Sequence, residues 1–133
     1  MIPPHASAGS AERYPSAYGD VYKRQALDTL SRNPDGFFLM IEGSNIDKAA
    51  HSSNLEEMME ELLDFDRTAG AVLDWASKHP GTLVVITADH NTGAFALTGG
   101  SREKGEITAR FGSGSHDGVA VPVYAFGAGS RCV

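Results

Sequence analysis

The chain has 133 residues, a mass of 14.1 kDa, a formal net charge of −6 and a sequence pI near 5.2. That length suits one domain with its own core, and the acidic balance argues against non-specific nucleic-acid binding, which needs Lys and Arg to displace counterions. A single cysteine, Cys132, excludes an internal disulfide and a cysteine-ligated zinc site, and no apolar run reaches membrane-spanning length, so neither nucleic acid nor a membrane is an expected partner.

Residues 1–25 are rich in Pro, Ser, Ala and Gly and carry no periodicity, which predicts a disordered or foreign leader. Asp20–Gln25 is also what one reading frame of a common transposase sequencing adapter encodes, so an assembly scar is one reading and a flexible polar leader the other. The folded domain is expected over 26–133. A short helix over Ala26–Arg32 ends at the turn Asn33-Pro-Asp-Gly36. The continuous apolar run Phe37–Ile41 reads as a strand buried on both faces, with Glu42 at its carboxyl end.

Leu55, Met58, Met59, Leu62, Phe65, Ala69, Val72, Leu73 and Ala76 recur at three- and four-residue spacing and predict a helix over Asn54–Lys78. Asn54 caps it, Glu57 completes a capping box, and Pro80-Gly81 stops it. Thr82–Thr87 is β-branched and apolar, a second buried strand. Strand, helix and strand make a βαβ unit with a right-handed crossover, so the expected class is α/β, a parallel sheet with flanking helices. Beyond it come a turn at Thr98–Ser101, a short strand around Ile107–Phe111 and an edge strand over Val121–Phe126, where Pro122 lacks a donor.

Two segments then bring acidic and imidazole groups to the carboxyl ends of the two expected strands, where open α/β sheets place ligand sites. In the first, Asp47 and His51 are four apart and share a face if Ile46–His51 makes a helical turn. His116, in the Gly/Ser-rich stretch Gly112–Gly118, is the candidate third ligand; three protein ligands and an open position are what a catalytic zinc takes. In the second, Asp89 and His90 are adjacent and can grip one ion only if the chain bends at the strand end. Glu42 offers the all-oxygen contact that suits magnesium. Taken singly, each group is an ordinary cap, turn or surface charge. Their joint placement in one crossover unit points to a metal-dependent hydrolase. His5, in the leader, and His79, at a helix end, lie outside this set.

Phe37–His51, Thr82–His90, and His116 with Val121–Gly127 together resemble the carboxyl-terminal half of alkaline phosphatase, over about residues 26–130. The resemblance implies a partial alkaline-phosphatase-like fold and a phosphomonoesterase with two Zn²⁺ and one Mg²⁺. It makes Asp47, His51 and His116 ligands of the first zinc, Asp89 and His90 ligands of the second, and Glu42 a magnesium ligand. Lys48 stands where some bacterial members place a lysine near the phosphate. The family's nucleophilic serine follows an aspartate, and no Asp-Ser dipeptide occurs here; Asp28-Thr29 lies in a different context. The chain therefore reads as a fragment without the amino-terminal nucleophile half. The resemblance further implies a phosphate monoester substrate, a homodimer and a periplasmic or extracellular location. Other readings are a non-catalytic zinc-binding remnant and another two-metal relative, such as a phosphodiesterase, sulfatase or phosphomutase.

Overall fold

The computed structural model describes residues 16–133, and the chain divides into two compact units, Met1–Leu39 and Met40–Val133. In the first unit helix α1 spans Ser16–Leu30. It starts ten residues earlier than the helix expected at Ala26, so the second half of the expected leader is helical and residues 1–15 lie outside the described residues. The weak apolar pattern there hid the helix, although Lys, Arg, Gln, Ala and Leu over 23–27 are all good helix formers. The turn after it is as expected: the Asn33 side chain accepts from the Asp35 amide, and Gly36 takes a positive φ of 87° while donating to the Asn33 carbonyl.

The second unit holds helix α2 (Ser44–His51), helix α3 (Leu55–Ser77), six short strands and a closing 3₁₀ turn at Ser130–Cys132. The α2–α3 junction is tightly specified. Ser53 donates to the Ala50 carbonyl and Asn54 to the Ala49 carbonyl, which is a Schellman ending with Ser53 in the left-handed region at φ 53°. Asn54 then begins the next helix: its side-chain oxygen accepts from the Glu57 amide, and its amide group donates to the Glu57 carboxylate. His51 is thus the last helical residue of α2, with Asp47 one turn before it. Ala49, Ala50 and Met58 are buried between the two helices, flanked by Ile46, Leu55, Phe95 and Phe111. Gly43 permits the approach, since a methyl there would sit 2.8 Å from the Phe65 ring.

Strand β1 (Leu83–Ile86) pairs with β6 (Tyr124–Gly127), β2 (Asn91–Thr92) with β5 (His116–Asp117), and β3 (Ala96–Ser101) with β4 (Glu106–Arg110). Every ladder among the described residues is antiparallel. This departs from the expected parallel sheet. Phe37–Ile41 is not a strand, and Phe38 and Met40 are 88% and 77% exposed. An apolar run becomes a strand only where another strand takes up its backbone groups, and no ladder includes this one. Nor is β1 buried on both faces: α3 packs on it, Val84 and Ile86 are half-buried, and Leu83 and Val85 are exposed. The Gly-Gly pair expected as a turn lies inside β3 beside a bulge, and the chain reverses at Arg102–Gly105 instead. The last strand begins two residues after Pro122, whose carbonyl accepts from the Thr87 hydroxyl.

Because the left-handed region costs an L-residue roughly 1–2 kcal/mol, partly offset by the greater unfolded freedom of glycine, Ser53→Gly is expected to stabilise the fold by about 0.5–1 kcal/mol. Asn54→Ala, which removes the cap of α3, is expected to cost about 1 kcal/mol. Denaturant unfolding followed by helical circular dichroism measures both.

Candidate metal centre

Helix α2 and the β2–β5 ladder build the site. A 3.6-residue turn puts Asp47 and His51 on one face of α2. The ladder sets Thr92 opposite His116 and Asn91 opposite Asp117. Gly93, buried at φ 84°, ties this ladder to the glycine-rich stretch: it donates to the Ser115 carbonyl, and its own carbonyl accepts from Gly112 and Ser113. A side chain there would collide with the Phe111 ring.

The result is a convergence of ligand atoms from three places in the sequence. The Nε2 atoms of His51 and His116 are 3.0 Å apart, His51 Nε2 is 3.4 Å from Asp47 Oδ2, and His116 Nε2 is 3.6 Å from Asp47 Oδ1. Donors each 2.0–2.1 Å from one tetrahedral zinc stand about 3.3 Å from each other. The spacing therefore fits one ion, and the side chains are partly open to solvent, which leaves access for a ligand. Among the described residues, Asp47, His51 and His116 are the group whose ligand atoms come together in this way.

The hydrogen bonds around the trio decide which nitrogens are available. His51 Nδ1 lies 2.8 Å from the Gly114 carbonyl, which can only accept, so the Nδ1 proton points there and a neutral ring leaves the Nε2 lone pair inward. That lone pair faces a carboxylate and a second imidazole nitrogen. A proton carried by His116 Nε2 makes this meeting a hydrogen bond, and a cation shared with the carboxylate satisfies all three groups at once.

Asp89 and His90 form a second pair beside the first. The chain bends after β1: the His90 amide donates to Asp89 Oδ1, and His90 Nε2 lies 3.2 Å from Asp89 Oδ2. The His90 ring stacks on His116 with centroids 3.5 Å apart. Glu42, exposed, precedes α2 and is outside the converging group. Lys48, also exposed, donates to the Asn45 side chain at 3.1 Å. His79 caps the end of α3, stacked on Trp75 with Nδ1 2.7 Å from the Trp75 carbonyl.

Sequence reasoning missed three residues that organise the centre. The buried Thr92 donates its hydroxyl to Asp47 Oδ1 at 2.6 Å. Asn91 donates its amide to both oxygens of Asp117, and Asp117 also accepts from the amides of Ala94 and Val119. This carboxylate locks the strand that carries His116. The only sequence signal was adjacency, Asn91-Thr92 after Asp89-His90 and Asp117 after His116. Both carboxyls are held below the ordinary carboxylate value of 3.8, Asp47 mainly by the Thr92 hydroxyl and then by the nearby imidazoles against some burial, Asp117 mainly by the Val119 amide.

A carboxyl depressed in the folded state stabilises the fold fully above its unfolded value, and that contribution is lost as pH falls through the folded one. Stability of the metal-free chain should therefore fall as pH drops below about 4. Asp117→Asn should flatten part of that acid limb and lower stability at pH 7. Denaturation midpoints across pH 2–7 for both proteins check this; equal acid slopes would be contrary.

The protein-family model for alkaline phosphatase matches residues 6–111. Alkaline phosphatase 4 of Bacillus subtilis is 47% identical over 79 residues, covering 59% of this chain and 17% of its own length. Streptomycin-6-phosphate phosphatase of Streptomyces griseus is 36% identical over 128 residues, covering 78% and 28%. Among solved structures, a magnesium-bound variant of the alkaline phosphatase of the Antarctic bacterium TAB5 superposes with a TM-score of 0.73 at 36% identity, over 82% of this chain and 34% of that one. The chain thus spans about a sixth to a third of the length of these relatives. An α/β fold of the alkaline phosphatase type fits these likenesses, and with the family match extending over most of its length, this chain is a member of the alkaline phosphatase family.

Proposed function

We propose that the chain supplies the metal-holding part of a phosphate monoester hydrolase. The observation that carries this reading is the inward-facing Nε2 of His51, on a ring whose Nδ1 contacts the Gly114 carbonyl, placed against Asp47 and His116 at the spacing one ion requires. Asp47, His51 and His116 would hold one Zn²⁺, Asp89 and His90 would hold a second, and Glu42 would serve Mg²⁺. The magnesium in the TAB5 variant is in keeping with a magnesium ion in this family. Divalent ions at such a centre supply Lewis-acid charge at a phosphoryl group.

The chain's own residues have separable tasks in this reading. Asp47 balances the charge and bridges α2 to the β2–β5 ladder. His51, at the negative end of the α2 dipole, sits where a cation is favoured. Asp117 and Asn91 hold the His116 strand in place. Lys48 would meet substrate phosphate after releasing Asn45.

The substrate class is a phosphate monoester, in keeping with the named activity of the Streptomyces relative. The serine nucleophile would come from outside these residues, since no Asp-Ser pair occurs among them. A parallel sheet with flanking helices is the architecture proposed for the longer protein, with a homodimeric state and a periplasmic or extracellular location by family likeness. No helix among the described residues is long and apolar enough to cross a membrane.

In equilibrium competition with a chromogenic chelator, the chain is expected to bind zinc, and Asp47→Ala or His51→Ala should weaken binding at least about 100-fold, beyond what loss of a supporting contact alone costs. With Zn²⁺ and Mg²⁺ added, these 133 residues should show no multi-turnover hydrolysis of a chromogenic phosphate ester. Turnover that vanished in Asp89→Ala would instead place a complete active site within them.

A further inference from the structure

Thr92 sits between the two groups that the proposed function assigns to separate ions. Its Oγ1 is 2.6 Å from Asp47 Oδ1 and 3.2 Å from His90 Nδ1, and the residue is buried. A hydroxyl has one proton to give. Asp47 is an ionised acceptor, so the proton goes to it, and a hydrogen bond at the His90 contact then runs from Nδ1–H to Oγ1. In a neutral ring that bond favours the Nδ1–H tautomer over the one in which Nε2–H donates to Asp89 Oδ2, 3.2 Å away, and so leaves the Nε2 lone pair for an ion. The relation repeats what Gly114 does for His51, but here the acceptor is itself bonded to a residue of the neighbouring group.

We propose that Thr92 is a positioning residue that orders His90 and Asp47 together, so that the two metal-binding groups are organised as one unit through a single hydroxyl. This rests on the metal reading above. The bond to Thr92 orients the Asp47 carboxylate toward His51 and His116, and the bond from His90 prevents its ring from turning Nδ1 toward Asp89. Partners of this kind set ligand orientation and commonly change metal affinity 10–100-fold when removed. Valine is nearly isosteric with threonine, so Thr92→Val deletes the hydroxyl and leaves the shape; Thr92→Ser keeps the hydroxyl and deletes a methyl.

The test uses the full chain in three forms, wild type, Thr92→Val and Thr92→Ser, with two measurements. The first is the His90 tautomer in the metal-free protein, read from nitrogen–proton correlations of the imidazole by NMR. The expected result is Nδ1–H in the wild type and Thr92→Ser and a loss of that preference in Thr92→Val. The second is zinc affinity by chelator competition, expected to fall about 10–100-fold in Thr92→Val and to recover to within about threefold of wild type in Thr92→Ser. Wild-type affinity in Thr92→Val, a serine variant as weak as the valine one, or an unchanged His90 tautomer each overturns the proposal. Failure of the metal reading looks different: the wild type itself would bind no zinc, or His51→Ala would bind as well as wild type, whatever the His90 tautomer did.

Discussion

Two imidazole nitrogens lie 3.0 Å apart, and one of them has its ring proton committed to a backbone carbonyl on the far side. Add the Asp47 carboxylate and the meeting is electron-rich on every side. A proton on one nitrogen or a bound cation offsets the repulsion between lone pairs and carboxylate, and a divalent ion engages all three groups together. The arrangement at the end of α2 therefore makes sense as a cation site, and the local scaffold serves it. The Schellman ending stops the helix directly after His51, the ladder sets Thr92 opposite His116, and Asp117 gathers a side-chain amide and two backbone amides to hold the strand.

Those elements differ sharply in how far they could be read from sequence. Helix α3 was legible in both limits and cap, because its apolar stripe repeats through more than five turns and Asn54 and Glu57 mark its start. The Asp47–His51 turn was legible because helical spacing alone puts the two on one face. His116 entered as the third ligand a catalytic zinc takes, and its place in the family pattern supported it, but nothing in a Gly/Ser-rich stretch gives a histidine a direction. Thr92 and Asp117 carried no signal beyond lying beside candidate ligands. A threonine after a strand and an aspartate before a glycine are common surface residues, and only the antiparallel pairing of two-residue strands turns them into partners of the ligands.

The sheet was the part read least well, for a related reason. Strand identity depends on neighbours, whereas helix identity is largely internal. Phe37–Ile41 has the composition of a buried strand yet lies in no ladder. Thr82–Thr87 did yield strand β1 over Leu83–Ile86, paired antiparallel with β6 instead of parallel with the apolar run. The Gly99-Gly100 pair misled because glycine signals both reversal and irregular strand; here it accompanies a bulge in β3.

The exposure pattern follows the same division. Val85, Tyr124 and Phe126 of the β1–β6 ladder are each between 44% and 62% exposed, while Ala49, Ala50, Thr92 and Gly93, which frame the ligand cluster, are buried. The ladder launches the chain toward Asp89 and His90 after Ile86, and none of the three converging ligands belongs to it. Ligand placement is instead set by α2 against α3, Gly93 against the 112–115 stretch, and Asp117 against 91, 94 and 119. Completing or distorting the sheet would change stability first. The imidazole–carboxylate geometry rests on those bonds, which is why single-atom changes at Thr92 and Asp117 should report on the centre more directly than changes in the β1–β6 ladder.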